Sequence, residues 1–314
     1  MKYLFFINPN AGKGKNQKSI ISDINEYFRN NGGDYEIIET RFKGDAEQTV
    51  REYAKTGEKL RVFACGGEGT AYEVANGIYG FDNAEMGVIP CGSANDFLKY
   101  FEAREPFRDI KSQIEGEATP IDLITADDRV CINGCSVGMD AMVARDMHLF
   151  KRWPLVGGAF SYELAIVRNF FTRRLGVEIE LSLDGEDFKK VRCLFAVLAN
   201  APFYGGGYKG APDAVPNDGE LDFTKVDAIS HFKVLRFLGK YKKGKFAQFP
   251  FCQKKRGFTM SFKSQKPIAV NLDGEIEECT SKTFSIKTAA MRFVIPSSLK
   301  LPESFKKAQL LINV

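Results

Sequence analysis

The chain has 314 residues, 44% of them hydrophobic, and its 44 Lys and Arg against 40 Asp and Glu leave a formal net charge of +4. That length predicts two domains with ordinary apolar cores, and no uncharged apolar stretch is long enough to cross a bilayer, so any contact with membrane is expected to be peripheral. Only His148 and His231 could give nitrogen ligands, and seven cysteines without a Cys-x-x-Cys pair read as reduced, mostly buried thiols of a cytosolic protein, which excludes a zinc site or disulfide frame.

The chain opens on an apolar strand, Tyr3 to Ile7, with no secretory leader expected ahead of it. Asn8-Pro9-Asn10-Ala11-Gly12-Lys13-Gly14-Lys15 follows, then an amphipathic run carrying Ile20, Ile21, Ile24, Tyr27 and Phe28. This is not the G-x-x-x-x-G-K-[ST] nucleotide loop, because the spacing fails and Asn16 follows Lys15. The same order of strand, glycine turn and helix returns twice. Leu60 to Cys65 leads into Gly66-Gly67-Glu68-Gly69-Thr70 and a helical run from Tyr72 to Ile78; Met86 to Ile89 leads through Pro90-Cys91-Gly92-Ser93-Ala94-Asn95-Asp96 to Phe97, Leu98 and Phe101. Glycines at such turns let backbone approach a ligand, and the first N–H groups of the next helix are unpaired donors. Plain turn chemistry explains the middle motif equally well, with Thr70 capping its helix and Glu73 completing a capping box. With a further strand at Tyr35 to Ile38, the alternation predicts a parallel sheet covered by helices, its ligand site at the carboxyl ends of the strands.

The grammar changes near residue 125, after a short strand around Ile121 to Ile124. Val177 to Leu183 alternates, turns at Asp184-Gly185 and returns as the apolar run Val191 to Leu198; later strands are expected at Phe258 to Phe262, Pro267 to Leu272, Phe284 to Lys287 and Met291 to Ile295. Helices are expected at about 139–172 and 231–243. Asp273-Gly274-Glu275 reads by itself as a hairpin turn. From His231 to Lys266 there are eleven Lys or Arg and no acid, interleaved with aromatic residues such as Phe232, Phe237, Tyr241, Phe246, Phe258 and Phe262. That segment suits an anionic membrane surface best, ahead of a core helix with a solvated lysine face and well ahead of single-stranded nucleic acid.

Taken in order, Asn8-Pro9…Gly12, Gly66 to Thr70, Ile89 to Phe97, Gly205-Gly206-Gly207…Asn217-Asp218-Gly219-Glu220-Leu221-Asp222 and Asp273-Gly274-Glu275 resemble the diacylglycerol kinase catalytic-domain family. They are most similar to its bacterial lipid kinases; the family also includes sphingosine kinases. The resemblance implies an α/β plus all-β fold: an N-terminal Rossmann-like, NAD-kinase-type nucleotide domain and a C-terminal antiparallel β-sandwich. The first would be an ATP-binding domain at 1–125 with a returning segment 296–314, the second a lipid-binding domain at 126–295.

What the resemblance implies chemically is an ATP-dependent lipid kinase using Mg2+, which moves the γ-phosphoryl group to a lipid hydroxyl at the inner membrane face. Diacylglycerol, giving phosphatidate, is the first choice of acceptor. Implied nucleotide contacts are Asn8, Pro9, Asn10, Gly12, Thr40, Gly66, Gly67, Gly69, Thr70, Glu73, Ser93, Asn95 and Asp96. The implied catalytic groups are Glu275 as general base, Asp273 as its partner, and Glu68, which stands where relatives usually carry Asp. Asp218 would help bind a structural magnesium together with backbone carbonyls near Val215 and Glu220, oxygen ligation that suits a hard ion. An NAD kinase shares the fold and the glycine-rich acidic motif and is the second enzyme reading; a non-catalytic nucleotide- or anionic-lipid-binding protein with relic kinase architecture is the third. No nucleic-acid partner is expected, and the sequence leaves the oligomeric state open, a homodimer included.

Overall fold

Lys2–Ile7 (β1), Asp34–Glu39 (β2), Leu60–Gly66 (β3) and Ala84–Pro90 (β4) pair in parallel in the order β4-β3-β1-β2. The computed structural model describes residues 1–14, 16–91, 95–151, 158–172 and 176–312. β3 is buried along its whole length, as expected of an apolar strand with a neighbour on each edge and helices on both faces. Gln17–Asn31 (α1) packs Ile20, Ile24 and Phe28 with Phe5 and Phe63 on one face. Asp45–Lys55 (α2) and Glu68–Ile78 (α3) bury Val50, Ala54, Val74 and Ile78 on the other. Gly77 permits the α2–α3 contact, since a Cβ there would lie 2.0 Å from Val50 Cγ1.

After the short helices Glu105–Arg108 (α4) and Ile110–Ile114 (α5) the sheet becomes antiparallel. Its strands are Glu117–Ala126 (β5), Arg129–Cys131 (β6), Gly134–Gly138 (β7), Val177–Leu183 (β8), Lys189–Ala199 (β9), Leu221–Asp227 (β10), Cys252–Gly257 (β11), Thr259–Leu272 (β12) and Glu275–Ile295 (β13). β7 pairs with β9, β9 with β8, β8 with β12 and β12 with β7. That closes a sandwich around Val137, Ile179, Leu181, Ala196, Leu198, Phe262 and Val270. Met139–Lys151 (α6), Gly158–Thr172 (α7) and His231–Lys242 (α8) cover its outer side through Val143, Phe170, Phe195, Val234 and Phe237. The architecture is α/β plus all-β, a Rossmann-like half joined to an antiparallel β-sandwich.

Three expectations need correction. The helical stretch at 139–172 is two helices, with 152–157 outside the described residues. The strands expected at 284–287 and 291–295 are parts of one, the 21-residue β13. Its register against β5 shifts between Lys287 and Met291, where Ala289 takes φ 49°, so a bulge bends the strand without ending it. The basic aromatic segment is not one surface. Phe237, Tyr241, Phe246 and Phe262 are buried, because the inner side of α8 and alternate residues of β12 face the cores. Lys254, Lys255 and Arg256 pair with Asp213, Glu186 and Asp218.

β13 pairs antiparallel with β12 and β5, and near its end Arg292 and Phe293 run parallel to β4, so one hydrogen-bonded sheet passes through both halves. The chain then returns to the first half. Glu303–Ile312 (α9) sets Phe305 among Phe101, Tyr100 and Phe293, and Ser304 Oγ lies 2.8 Å from Tyr100 Oη. All seven cysteines are free thiols. No helix among the described residues is long and apolar enough to cross a membrane.

Candidate active site

The glycine turns that follow β1, β3 and β4 meet at one edge of the parallel sheet. Asn8 Nδ2 donates to Thr70 Oγ1 (3.3 Å), Asn95 Nδ2 to the Gly66 carbonyl (3.1 Å) and Asn16 Nδ2 to the Cys91 carbonyl (3.4 Å). Gln17 Nε2 donates to the carbonyls of Asn8 (3.1 Å) and Ala11 (2.6 Å), which holds the first turn, with Pro9, Asn10 and Gly12, in shape. Thr40, just past β2, gives its N–H to the Ile7 carbonyl at 2.9 Å. Ser93 lies outside the described residues.

Gly66 is required by close approach, since a Cβ there would lie 2.3 Å from Thr70 Oγ1; one on Gly69 would lie 3.3 Å from Glu275 Oε1, a tight contact that sets this carboxylate beside the turn. Gly67, at the N-cap of α3, has open space where a Cβ would point, and the amino end of that helix carries a partial positive charge.

Thr70 lies inside α3 and no capping box forms with Glu73. Glu73 reaches to the start of α2 instead, accepting from the N–H of Gly44 (2.8 Å) and of Ala46 (3.2 Å), while burial pushes its carboxyl up. Asp96 is fully buried, takes the Lys99 ammonium on one oxygen and accepts from the N–H of Gly206 (2.7 Å) and Gly207 (3.1 Å) on the other. Both carboxylates therefore hold the walls of the turn cluster.

Asp273 and Gly274 are the two central residues of a hairpin between β12 and β13, with φ 50° and 96°, the shape of a type I′ turn. The plain turn reading of this motif is correct, and the turn also aims two carboxylates in different directions. Asp273 accepts from the N–H of Ile132 (2.6 Å), Asn133 (3.1 Å) and Gly134 (2.7 Å), and burial pushes its carboxyl up to about 6 against those three donors. Glu275 faces the glycine turns, beside Gly69, and forms an ion pair with Lys43 from the loop after β2. Glu68 Oε1 accepts from the Asp96 N–H at 3.2 Å, and its Oε2 lies 3.8 Å from where Gly274 would carry a Cβ. Glu68, Glu275 and Lys43 thus converge where the two halves meet, whereas the oxygens of Asp273 are committed to backbone.

From Glu68 and Asp273 a cleft with about 1080 Å³ of empty space, part of it open to solvent, extends between the halves along Val88, Phe97, Leu98, Ile132, Met147 and Val197. Its described lining includes the carboxylates of Glu68, Asp140 and Asp273 and no Lys, Arg or His. Asp140 is buried, receives hydroxyl hydrogen bonds from Ser136 and Tyr162, and has its carboxyl pushed up by burial. Sequence reasoning did not single out Asp140, because an acid at a helix start is ordinary. It also left Lys43 unassigned in the loop beside Thr40.

The implied magnesium site does not fit these residues. Asp218 is engaged by the guanidinium of Arg256, which also lies 2.8 Å from Glu220 Oε2 and 3.5 Å from Asp222 Oδ2, the last without a hydrogen bond. The register of β10 against β11 sets Arg256 opposite Asp222. Burial pushes the Asp218 carboxyl up and that of Asp222 up to about 6. Among the described residues no three His, Cys, Asp or Glu side chains gather into a metal-holding group. A built-in cation occupies the centre of this acidic cluster, and Val215 packs against the core of the first half.

Residues 2–126 match the diacylglycerol kinase catalytic domain and residues 133–296 match the YegS C-terminal NAD kinase beta sandwich-like domain. A protein named "Probable lipid kinase YegS-like" from Xanthomonas campestris pv. campestris is 31% identical over 281 residues, covering 84% of this chain and 87% of its own. The crystal structure of a diacylglycerol kinase from Bacillus anthracis superposes with a TM-score of 0.69 at 16% identity, over 95% of this chain and 98% of that one. An NAD kinase from Archaeoglobus fulgidus, solved in complex with ATP, shares the fold more distantly, with a TM-score of 0.51 at 12% identity over 98% and 96% of the two chains.

Proposed function

Because the chain belongs to the YegS-like lipid kinase family, with its diacylglycerol kinase catalytic domain and NAD-kinase-like β-sandwich, we propose that it moves the γ-phosphoryl group of ATP to the hydroxyl of an uncharged lipid, diacylglycerol first. The observation that carries this reading is the meeting of Glu68, Glu275 and Lys43 between the amino end of α3 and an apolar cleft whose described lining holds no Lys, Arg or His.

ATP would lie over the turns carrying Asn8, Pro9, Asn10, Gly12, Gly66, Gly67 and Gly69, its phosphates toward the amino end of α3, with Thr40, Thr70 and Asn95 shaping the cradle. We assign Ser93 to the same cradle, and Glu73 and Asp96 to positioning its walls. Lys43 would exchange its partner, leaving Glu275 for a phosphate oxygen. Glu275 is then the general base. The acceptor oxygen forms its bond to the γ-phosphorus as the bond to the β–γ bridging oxygen breaks, the hydroxyl proton passes to Glu275, and ADP leaves. A carboxylate is a weak base toward an alcohol, so proton transfer comes late. Magnesium entering with ATP would neutralise phosphate charge, and Glu68 is the carboxylate we assign to that cation. Asp273 positions the turn that carries Glu275.

The acceptor would enter the cleft, whose apolar walls suit acyl chains. Its carboxylates and lack of described cations disfavour phosphatidylglycerol and NAD, which bring negative phosphates. One observation favours a second acceptor: the buried Asp140 carboxylate, held by the hydroxyls of Ser136 and Tyr162 and by the Asn271 side chain with no cation beside it among the described residues, would pair with the ammonium of a long-chain amino alcohol.

The test is transfer of labelled phosphate from ATP with magnesium to diacylglycerol, ceramide, sphingosine, phosphatidylglycerol and NAD, the lipids in vesicles. Labelled product from an uncharged lipid is expected. Labelled NADP, or ATP binding with no product at all, would overturn the proposal.

A further inference from the structure

α7 and α8 lie side by side and antiparallel. The Phe170 and His231 rings sit 4.9 Å apart at one end of the pair, and Glu163 and Lys242 form a 2.6 Å ion pair at the other. Each helix already spends one face on the core: Tyr162, Ala165, Ile166 and Phe170 from α7, and Val234, Phe237 and Tyr241 from α8. The outer faces should then be polar. They are not. Phe160, Val167 and Phe171 recur at seven- and four-residue spacing along α7 and are 54%, 52% and 78% exposed. On α8, Phe232 and Leu235 are 69% and 60% exposed. Single exposed apolar residues mean little, but two adjacent helices each with an outward apolar stripe mark an interaction surface.

Charge identifies the occupant. Lys233, Arg236, Lys240, Lys243 and Lys245 are exposed around the α8 stripe, and from residue 231 to 266 the chain holds no Asp or Glu. Rings and aliphatic side chains ringed by lysines fit a surface that is apolar beneath and negatively charged on top. A second copy of the chain pressed against this face would set the same lysines against each other. Position agrees: Tyr162, on the inner side of α7, and Ala144 and Met147, on α6, line the cleft between the halves, so the wall of that cleft carries this stripe on its back.

We propose that the outer faces of α7 and α8 form a docking surface for an anionic bilayer, with Phe171 and Phe232 entering the interface and the α8 lysines lying on the headgroups. This deepens the lipid-kinase reading, but binding requires neither ATP nor turnover, so each can fail without the other.

Co-sedimentation with phosphatidylcholine vesicles, with and without phosphatidylglycerol, tests it on the full chain. Wild-type protein should bind the anionic vesicles only, and binding should fall as salt rises. Phe171→Ser with Phe232→Ser, and separately Lys233→Glu with Arg236→Glu and Lys240→Glu, should each weaken binding by on the order of tenfold or more while the melting temperature stays unchanged. All five side chains are exposed, so the variants should fold. Failure of the wild type to bind, variants that bind like it, or loss of a wild-type dimer in the Phe→Ser variant without loss of vesicle binding would each overturn the proposal. The last result would make the face a contact between copies.

Discussion

Lys43 and Glu275 form an ion pair across 232 residues of sequence, joining the loop after β2 to the turn between β12 and β13. It is the point where a cation from the nucleotide-domain side meets the acid proposed as base. Lys43 is largely exposed, so the pair itself adds little stability. Its value would lie in exchange: a phosphate that recruits the lysine also releases the base.

Glu275→Gln should keep ATP binding while lowering turnover by roughly a hundredfold or more, the usual contribution of a positioned base. Lys43→Met should instead raise the KM for ATP as well as lowering kcat. Steady-state kinetics with a dispersed lipid acceptor separate the two, and equal KM effects in both variants would contradict the exchange.

Glu68→Asp brings in the residue type that the family resemblance implies at this position and should nevertheless slow this enzyme. The longer side chain accepts from the Asp96 N–H and reaches toward Gly274, and a shorter one would do neither without backbone movement. A fall in kcat of at least about tenfold is expected from misplacement on the order of an ångström. A gain in kcat would show that the extra methylene is a handicap.

Asp273→Asn should destabilise the fold by about 1–3 kcal/mol, since its amide would turn donors toward at least one of three backbone N–H groups. Urea unfolding measures the loss. An unchanged midpoint would mean the turn does not depend on the carboxylate.

Asp222 gives a pH prediction. Its folded pKa of about 6 lies above the roughly 3.9 of an unfolded aspartate, so the native state holds the proton more tightly. The contribution of this group is therefore fullest below about 4 and is lost as pH rises through about 6. Asp222→Asn should flatten the decline of the unfolding midpoint across that window; a decline equal to that of wild type would contradict the assignment.

Chelation should leave the melting temperature of the ATP-free protein unchanged, because Arg256 already supplies the positive charge at Asp218, Glu220 and Asp222. Arg256→Met should lower stability by about 1–3 kcal/mol by leaving three carboxylates together, with magnesium restoring part of it. A wild-type melting temperature that drops on chelation would place the metal back in the cluster.

Much of this was legible in the sequence for physical reasons. The three glycine turns could be found because apolar strands, bare turns and amphipathic runs leave local patterns, and the structure brings Asn8, Gly66 and Asn95 together. Asp273-Gly274 was legible as a hairpin from two residues. The aim of each carboxylate was not. That Asp273 turns to residues 132–134, Glu73 to the start of α2 and Asp96 to the glycine loop 205–207 depends on partners between 27 and 141 positions away. Arg256 read as one charge in a basic run, although register alone puts it opposite Asp222. Phe232 read like Phe237 and Phe246 as one more ring in a basic run suited to a membrane surface, and only packing separates the exposed ring from the buried ones.

The long strand β13 also bears on synthesis. β4 has β3 on one edge, and the partner for its other edge, Arg292 and Phe293, is made about two hundred residues later. While the ribosome works through the β-sandwich, the nascent first half carries an unfinished sheet with an open, apolar edge, the kind that invites pairing with other chains. That closing piece arrives late, so chains truncated or stalled before it should aggregate even when every nucleotide-cradle residue has been made.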